Sequence, residues 1–107
     1  MNKPPPEIHE RLLLAIDQRR LMRLRYQNKE RIIEPHDYGE RKGVVTLLAY
    51  QTGGASSGRL PNWRWLDASG ISDAEILDRT FPGGRQVPTG NHHAWDKLYA
   101  RVKPAGS

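Results

Sequence analysis

Apolar residues recur along this chain with two different periods. Ile8, Leu12 and Ile16, with Leu13 and Ala15 widening the stripe, fall at helical spacing. They predict an amphipathic helix from Glu7 to about Gln18–Arg20 whose buried face is core. Pro4-Pro5-Pro6 keeps the short tail ahead of it extended up to the helix start. Glu7 and Glu10 in the first turn and Arg19 and Arg20 in the last suit the helix dipole. The period then drops to two. Met22, Leu24 and Tyr26 share one face and Arg23 and Arg25 the other, a half-buried strand over Leu21–Gln27 with a basic outer side. Gln27–Glu30 reads as a polar turn and Arg31–Glu34 as a second strand, which ends or bulges at Pro35 because proline cannot donate to a ladder. His36–Lys42, punctuated by Gly39 and Gly43, reads as a connection. Val44–Tyr50, apolar on both faces except for Thr46, is the central strand.

Beyond it, Gly53-Gly54-Ala55-Ser56-Ser57-Gly58 has the composition of a flexible loop, either a disordered connection or a mobile flap over a site. Trp63–Ser69 and a shorter Ala74–Asp78 are the last predicted strands. A turn at Phe81-Pro82-Gly83-Gly84 and an irregular Arg85–Gly90 follow. Trp95, Leu98, Tyr99 and Val102 stand at i, i+3, i+4 and i+7, which predicts a short amphipathic helix from about His92 with Asn91 as its N-cap. So short a helix is unstable alone and has to dock, on this domain or on a second copy. The pattern therefore predicts a mainly β (α+β) fold of about five short antiparallel strands in a small barrel or curled sheet, with a helix at each end. The divisions are a tail over 1–6, the barrel domain with its helix over 7–80, and an extension over 81–107.

With 107 residues there is one domain and one small core. The chain has no cysteine, so disulfides and thiolate metal sites are excluded. The polar, proline-rich start does not resemble a signal peptide, and no apolar run approaches the roughly 20 residues that span a bilayer. A cytoplasmic location with no membrane partner is expected. Seventeen Lys and Arg against twelve Asp and Glu give a net charge of +5. That favours a polyanionic partner or is simply a solvated surface.

The elements Leu13-Leu14-Ala15-Ile16, Leu24-Arg25-Tyr26, Arg31-x-Ile33-x-Pro35 and Leu47-Leu48-Ala49-Tyr50, followed by Trp63-Arg64-Trp65-Leu66-Asp67 and Gly70-Ile71, resemble the WYL domain family in order and spacing over roughly Leu12–Leu77. Val45-Thr46-Leu47 stands where that family carries its Trp-Tyr-Leu signature, and Gly70 where it usually carries an arginine. The resemblance implies an Sm-like, SH3-type barrel with an N-terminal helix. It also implies a bacterial transcription-regulation context in which the module senses a nucleotide or nucleic acid. Only a few residues precede the helix, so classical transcription-factor action within one chain is not expected.

Arg31 matches the family's strand arginine, and Arg64 lies between two tryptophans. Guanidinium groups offer a rigid fork of donors for phosphate and stack on aromatic faces. Trp63 and Trp65 share one side of their strand, where they stack bases or else cover the barrel end. Tyr50 matches a family position and, with Gln51, ends the central strand beside the glycine-rich loop. His36 is the titratable group at the rim. No acid, base and nucleophile set can be assembled, so a non-enzymatic module without cofactor is expected. Adjacent His92 and His93 diverge too far on a helix to share a metal. The expected ligand-binding residues are Arg31, His36, Tyr50, Gln51, Trp63, Arg64 and Trp65, and the expected ligand is a nucleotide or single-stranded nucleic acid. The alternative is a structural module in which the tryptophans and the terminal helix bind a homodimer mate or a regulatory partner protein. The run Arg19, Arg20, Arg23 and Arg25 counts as a nucleic-acid footprint only if it joins Lys29 and Arg31 on one surface.

Overall fold

Pro6 opens helix α1 (Pro6–Gln18), where its missing N–H costs nothing, and Arg19 closes it in the left-handed conformation with its N–H turned to the carbonyls of Ala15 and Ile16. In the computed structural model, residues 4–56, 58–85 and 95–105 are described. Among the described residues the helix is followed by six strands: β1 (Arg20–Tyr26), β2 (Lys29–Arg41), β3 (Val44–Gly54), β4 (Asn62–Asp67), β5 (Ser72–Thr80) and β6 (Lys97–Arg101), with a 3-10 turn at Ala68–Gly70. All pair antiparallel in the order β4-β3-β2-β1-β5, and β6 also pairs with β2. The fold is thus mainly β with one N-terminal helix, as the patterning predicts. The predicted barrel is an open sheet in its hydrogen bonding, because β4 and β5 stand at the two ends of the path. Ile8, Leu12, Ala15 and Ile16 of α1 are buried in one core with Met22, Leu24, Ile33, Tyr38, Leu47, Ala49 and Leu66. No helix among the described residues is long and apolar enough to cross a membrane.

The long strand β2 departs most from the sequence reading. His36–Lys42 is not a connection: the strand continues through Pro35 to Arg41, and His36, Asp37 and Tyr38 are buried in it. Proline is accommodated because the register against β3 shifts between Pro35 and Asp37, a bulge of the kind that admits it. On the opposite edge β1 pairs with Lys29–Ile33 and β6 with Asp37–Glu40, so Pro35 also falls between two partners. The bulge resets the alternation. Tyr38, opposite Leu47, faces the helix side, while Asp37, opposite Leu48, faces the other.

The predicted terminal helix is replaced by β6. Its apolar spacing fits either period, and a helix there would leave the second edge of β2 without partners over Asp37–Glu40. The Val102 N–H continues the link beyond the strand, donating to the carbonyl of His36 at 2.8 Å. Gly39 serves this contact, since a Cβ there would lie 3.0 Å from the Leu98 Cα. The extension over 81–107 therefore contributes a strand to the main sheet. The proposed cap Asn91 and the helix start at His92 lie outside the described residues, as does the His92–His93 pair.

Gly53 and Gly54 belong to β3, opposite Ile32 and Arg31, and not to a loop. Gly54 has φ +84°, and a Cβ on it would sit 2.7 Å from the Arg31 Cα. Only glycine lets the end of β3 pass Arg31 this closely. Gly54→Ala should lower the unfolding free energy by about 1–3 kcal/mol, measured by urea titration. Gly43→Ala, at a turn with open space around it, provides the comparison for a positive-φ position without the clash.

Candidate anion-binding site

Alternation divides the predicted site residues between two faces of the β2–β3–β4 sheet. Leu47, Ala49 and Gln51 share the core face of β3, and Leu66, Arg64 and Asn62 stand opposite them on β4. Arg31 arrives on the same face from β2. Gln51, completely buried, is the hub. Its Oε1 accepts from Arg31 Nη1 at 3.3 Å and from Arg64 Nε at 3.2 Å, while its Nε2 donates to the carbonyls of Gly53 and Ala55, both at 3.0 Å. Arg31 Nη2 also donates to Gln27 Oε1 at 3.4 Å, and Arg64 Nη2 to Ser56 Oγ at 2.6 Å. The ring of Tyr26 lies 5.4 Å from the Arg31 guanidinium carbon. The Tyr26 hydroxyl accepts from the Asp67 N–H, which ties the end of β1 to β4. Gly70 leaves room for that ring: a Cβ there would be 3.0 Å from Tyr26 Cε1.

Arg31 is 5% exposed, and its Nε has no hydrogen-bond partner. Burial, and then the charge of Arg64, lower its pKa, although a guanidinium remains protonated at neutral pH. Every acceptor that the two arginines have among the described residues is neutral. Four other arginines have carboxylate partners. Arg20 pairs with Asp78, Arg23 with Glu30 and Glu75, Arg85 with Glu34 and Arg101 with Asp37. The run of arginines on β1 is in this way largely paired off, and does not merge with Arg31. Between Arg31 and Arg64 lies a hollow of about 200 Å³ lined by Tyr26, Gln27, Lys29, Ser56, Trp65 and Leu66 together with the two arginines. It holds three cationic groups and no carboxylate.

His36, Tyr50 and Trp63 are on the opposite face. His36 is a buried strand residue and not a rim group: its ring meets Trp63 edge-on at 4.7 Å and stacks on Phe81 at 5.5 Å. Its Nδ1–H donates to the Glu34 carbonyl at 2.9 Å, and its Nε2 accepts from the Arg85 N–H at 3.1 Å. Both nitrogens are thus committed in the neutral form. Tyr50 packs on Trp63 at 5.1 Å and carries the Arg85 guanidinium 4.4 Å over its ring, while Arg85 forms a two-bond pair with Glu34 at 2.7 and 2.9 Å. Trp65, 41% exposed, reaches the wall of the arginine hollow, but its ring faces Arg41 at 3.9 Å and Trp95 at 5.8 Å. The expected shared hollow of guanidinium and indole groups is therefore split by the sheet. Arg31, Arg64 and Gln51 come together, and the stacking surfaces Tyr50 and Trp63 do not join them.

Sequence reasoning missed the groups that sit far apart in the chain. Ser56 and Gln27 complete the arginine cluster, and Glu34–Arg85 clamps the outer face. A second hollow, about 690 Å³, lies between α1 and β6. There His9 Nδ1 and the Tyr38 hydroxyl are 2.8 Å apart, and the Tyr99 hydroxyl donates to Glu40. The pKa values of Tyr38 and Tyr99 are each raised to about 12, the first by burial and the second by its bond to Glu40. No group of metal-binding side chains occurs among the described residues. No protein-family model, curated protein or solved structure matches this chain, so the WYL resemblance rests on the residues quoted for it.

The pKa of His36 is lowered from 6.5, chiefly by burial, with Arg85 adding to the effect and the Glu34 carbonyl, Glu34 and Asp37 opposing it. The folded state therefore holds its proton less tightly than the unfolded chain. The stability from this site is complete above 6.5 and is lost as pH falls from there towards the folded value. Urea midpoints should fall as pH is lowered through 6.5, and His36→Gln should flatten the curve in that window.

Proposed function

We propose that the chain is a non-enzymatic, WYL-like binding module that takes a phosphate-bearing ligand, a nucleotide or short nucleic acid, between Arg31 and Arg64. The observation that carries this reading is a pair of guanidinium groups, one of them buried, held together on one amide oxygen in a hollow without carboxylates. Two like charges kept adjacent and unneutralised weaken a fold, so their retention is explained by an anion that completes them. Gln51 fixes both in place without cancelling their charge. The helix followed by antiparallel strands supports the family reading at the level of architecture, and closure into a barrel remains part of this proposal.

The homodimer or partner-protein alternative draws less support. Part of the apolar tail that it relied on is used within the chain, where β6 pairs with β2, Val102 is buried and Trp95 meets Trp65, while Leu98 stays exposed.

Calorimetric titration of the protein with nucleotides and short single-stranded DNA and RNA, at low and moderate salt, tests the reading. Arg31→Gln and Arg64→Gln should each weaken binding by roughly 10- to 100-fold, the range expected for losing a charged hydrogen bond worth about 1.5–3 kcal/mol. Trp63→Phe, on the other face, should leave it unchanged. Gln51→Glu should weaken binding, because the new carboxylate offsets one of the two guanidinium charges from within. It should also lower the unfolding midpoint, because its second oxygen would face the Gly53 and Ala55 carbonyls to which the amide nitrogen donates. Absence of binding by any probe at low salt would overturn the reading.

A further inference from the structure

We infer that the Arg31–Arg64 hollow takes a single terminal phosphate group, a phosphomonoester, and reads nothing of the base attached to it. This rests on the anion-binding reading above and gives it a substrate class. Size is the first argument. At about 200 Å³ the hollow is smaller than the roughly 300–1,000 Å³ typical of sites that enclose a whole small molecule. A phosphate group fits, and a sugar and base stay outside.

Charge is the second. Arg31, Arg64 and Lys29 line the hollow with no acidic residue among them. A terminal phosphate, whose second ionisation lies near pH 6, brings close to two negative charges at neutral pH, whereas an internal diester brings one. The free donors agree. Arg31 Nε is buried without an acceptor, and its Nη atoms reach neutral oxygens at 3.3 and 3.4 Å. Those bonds are long beside the roughly 2.7–2.9 Å of a guanidinium on an anion, so the Arg31 Nη atoms are held only loosely by the oxygens they now reach.

Shape is the third. An internal diester carries two ester arms that must both leave the hollow, whose lining includes Tyr26, Gln27 and Ser56. Of the aromatic residues at the hollow, Tyr26 lies against Arg31 and Trp65 meets Arg41 and Trp95, while Tyr50 and Trp63 are on the opposite face. Trp63 packs on His36 and Tyr50, and Tyr50 lies under Arg85.

The test uses the full chain with a short oligothymidylate bearing a 5′-phosphate, the same strand ending in a 5′-hydroxyl, the phosphorylated oligoadenylate, and inorganic phosphate as competitor. The phosphorylated strand should bind at least about tenfold tighter than the hydroxyl strand, in keeping with charge-assisted bonds to a dianion. Thymidylate and adenylate should bind alike, inorganic phosphate should displace both, and Arg31→Gln should erase the difference between phosphate and hydroxyl ends. Equal binding of the two thymidylate strands would overturn terminal recognition while leaving the anion-binding reading intact. A marked preference between the bases would overturn the claim that the base is not read. No binding of any probe at low salt would overturn both readings.

Discussion

One amide oxygen, Gln51 Oε1, accepts a hydrogen bond from each of two arginines, and much of the molecule is arranged so that it can. For the oxygen to sit between them, β3 has to run past the usual end of a strand. It does so because Gly54 allows close passage beside Arg31. The Gln51 amide nitrogen is then held by the carbonyls of Gly53 and Ala55, which fixes the orientation of the side chain and leaves the oxygen for the guanidinium groups. Arg31 is pinned further by Gln27 and Tyr26, and Arg64 by Ser56. Each tether is neutral. The cluster is positioned from three connections of the chain without any of them supplying the opposite charge.

The other face of the same strands is built on the contrary principle. Glu34 is nearly buried and receives two bonds from Arg85, Asp37 is buried and pairs with Arg101, and His36 is neutral with both nitrogens satisfied. Buried charge costs several kcal/mol per ion when unpaired, and there each one described has a counter-ion. The bulge at Pro35–Asp37 makes this division clean. It sets Tyr38 towards the helix and Asp37 and His36 towards the aromatic layer. Glu34 and Asp37 are thus each matched by an arginine, in contrast to Arg31 and Arg64, whose acceptors among the described residues are all neutral.

How much of this was legible follows from which physical signals are local. The helix was legible, because Ile8, Leu12 and Ile16 repeat at its period, and so was β1, because Met22 and Leu24 alternate with arginines. The continuation of β2 was not. Proline and two glycines are turn residues locally, and only pairing with two different strands along one edge, one of them more than fifty residues away, makes Pro35 and Gly39 strand residues. The terminal segment failed for a related reason: four apolar positions at i, i+3, i+4 and i+7 satisfy a helix, and tertiary pairing with β2 decided otherwise. At the site, residue type identified Arg31, Arg64 and Gln51. Their convergence depended on register between β2, β3 and β4, and so did the removal of Trp63 and Tyr50 to the opposite side.

That separation changes what the arginines can be for. Guanidinium groups beside indoles would suggest a groove in which bases stack in succession along a strand. The same guanidinium groups on a sheet face of their own, with the aromatics committed to Arg85, Arg41 and His36, leave charge and hydrogen-bond geometry as the means of selection. Selection by charge alone is indiscriminate on a surface, where solvent and salt screen it. Here one of the charges is buried and both are hydrogen-bonded to one glutamine oxygen, so on the proposed reading the site would select by fit to a small oxyanion as well as by sign. Tethering Arg64 to Ser56 and Arg31 to Gln27 would, on the proposed reading, lower the entropy lost on binding, since neither side chain has to be ordered by a ligand. The repulsion between the two groups is already present in the protein as it stands, and the proposed anion would relieve it.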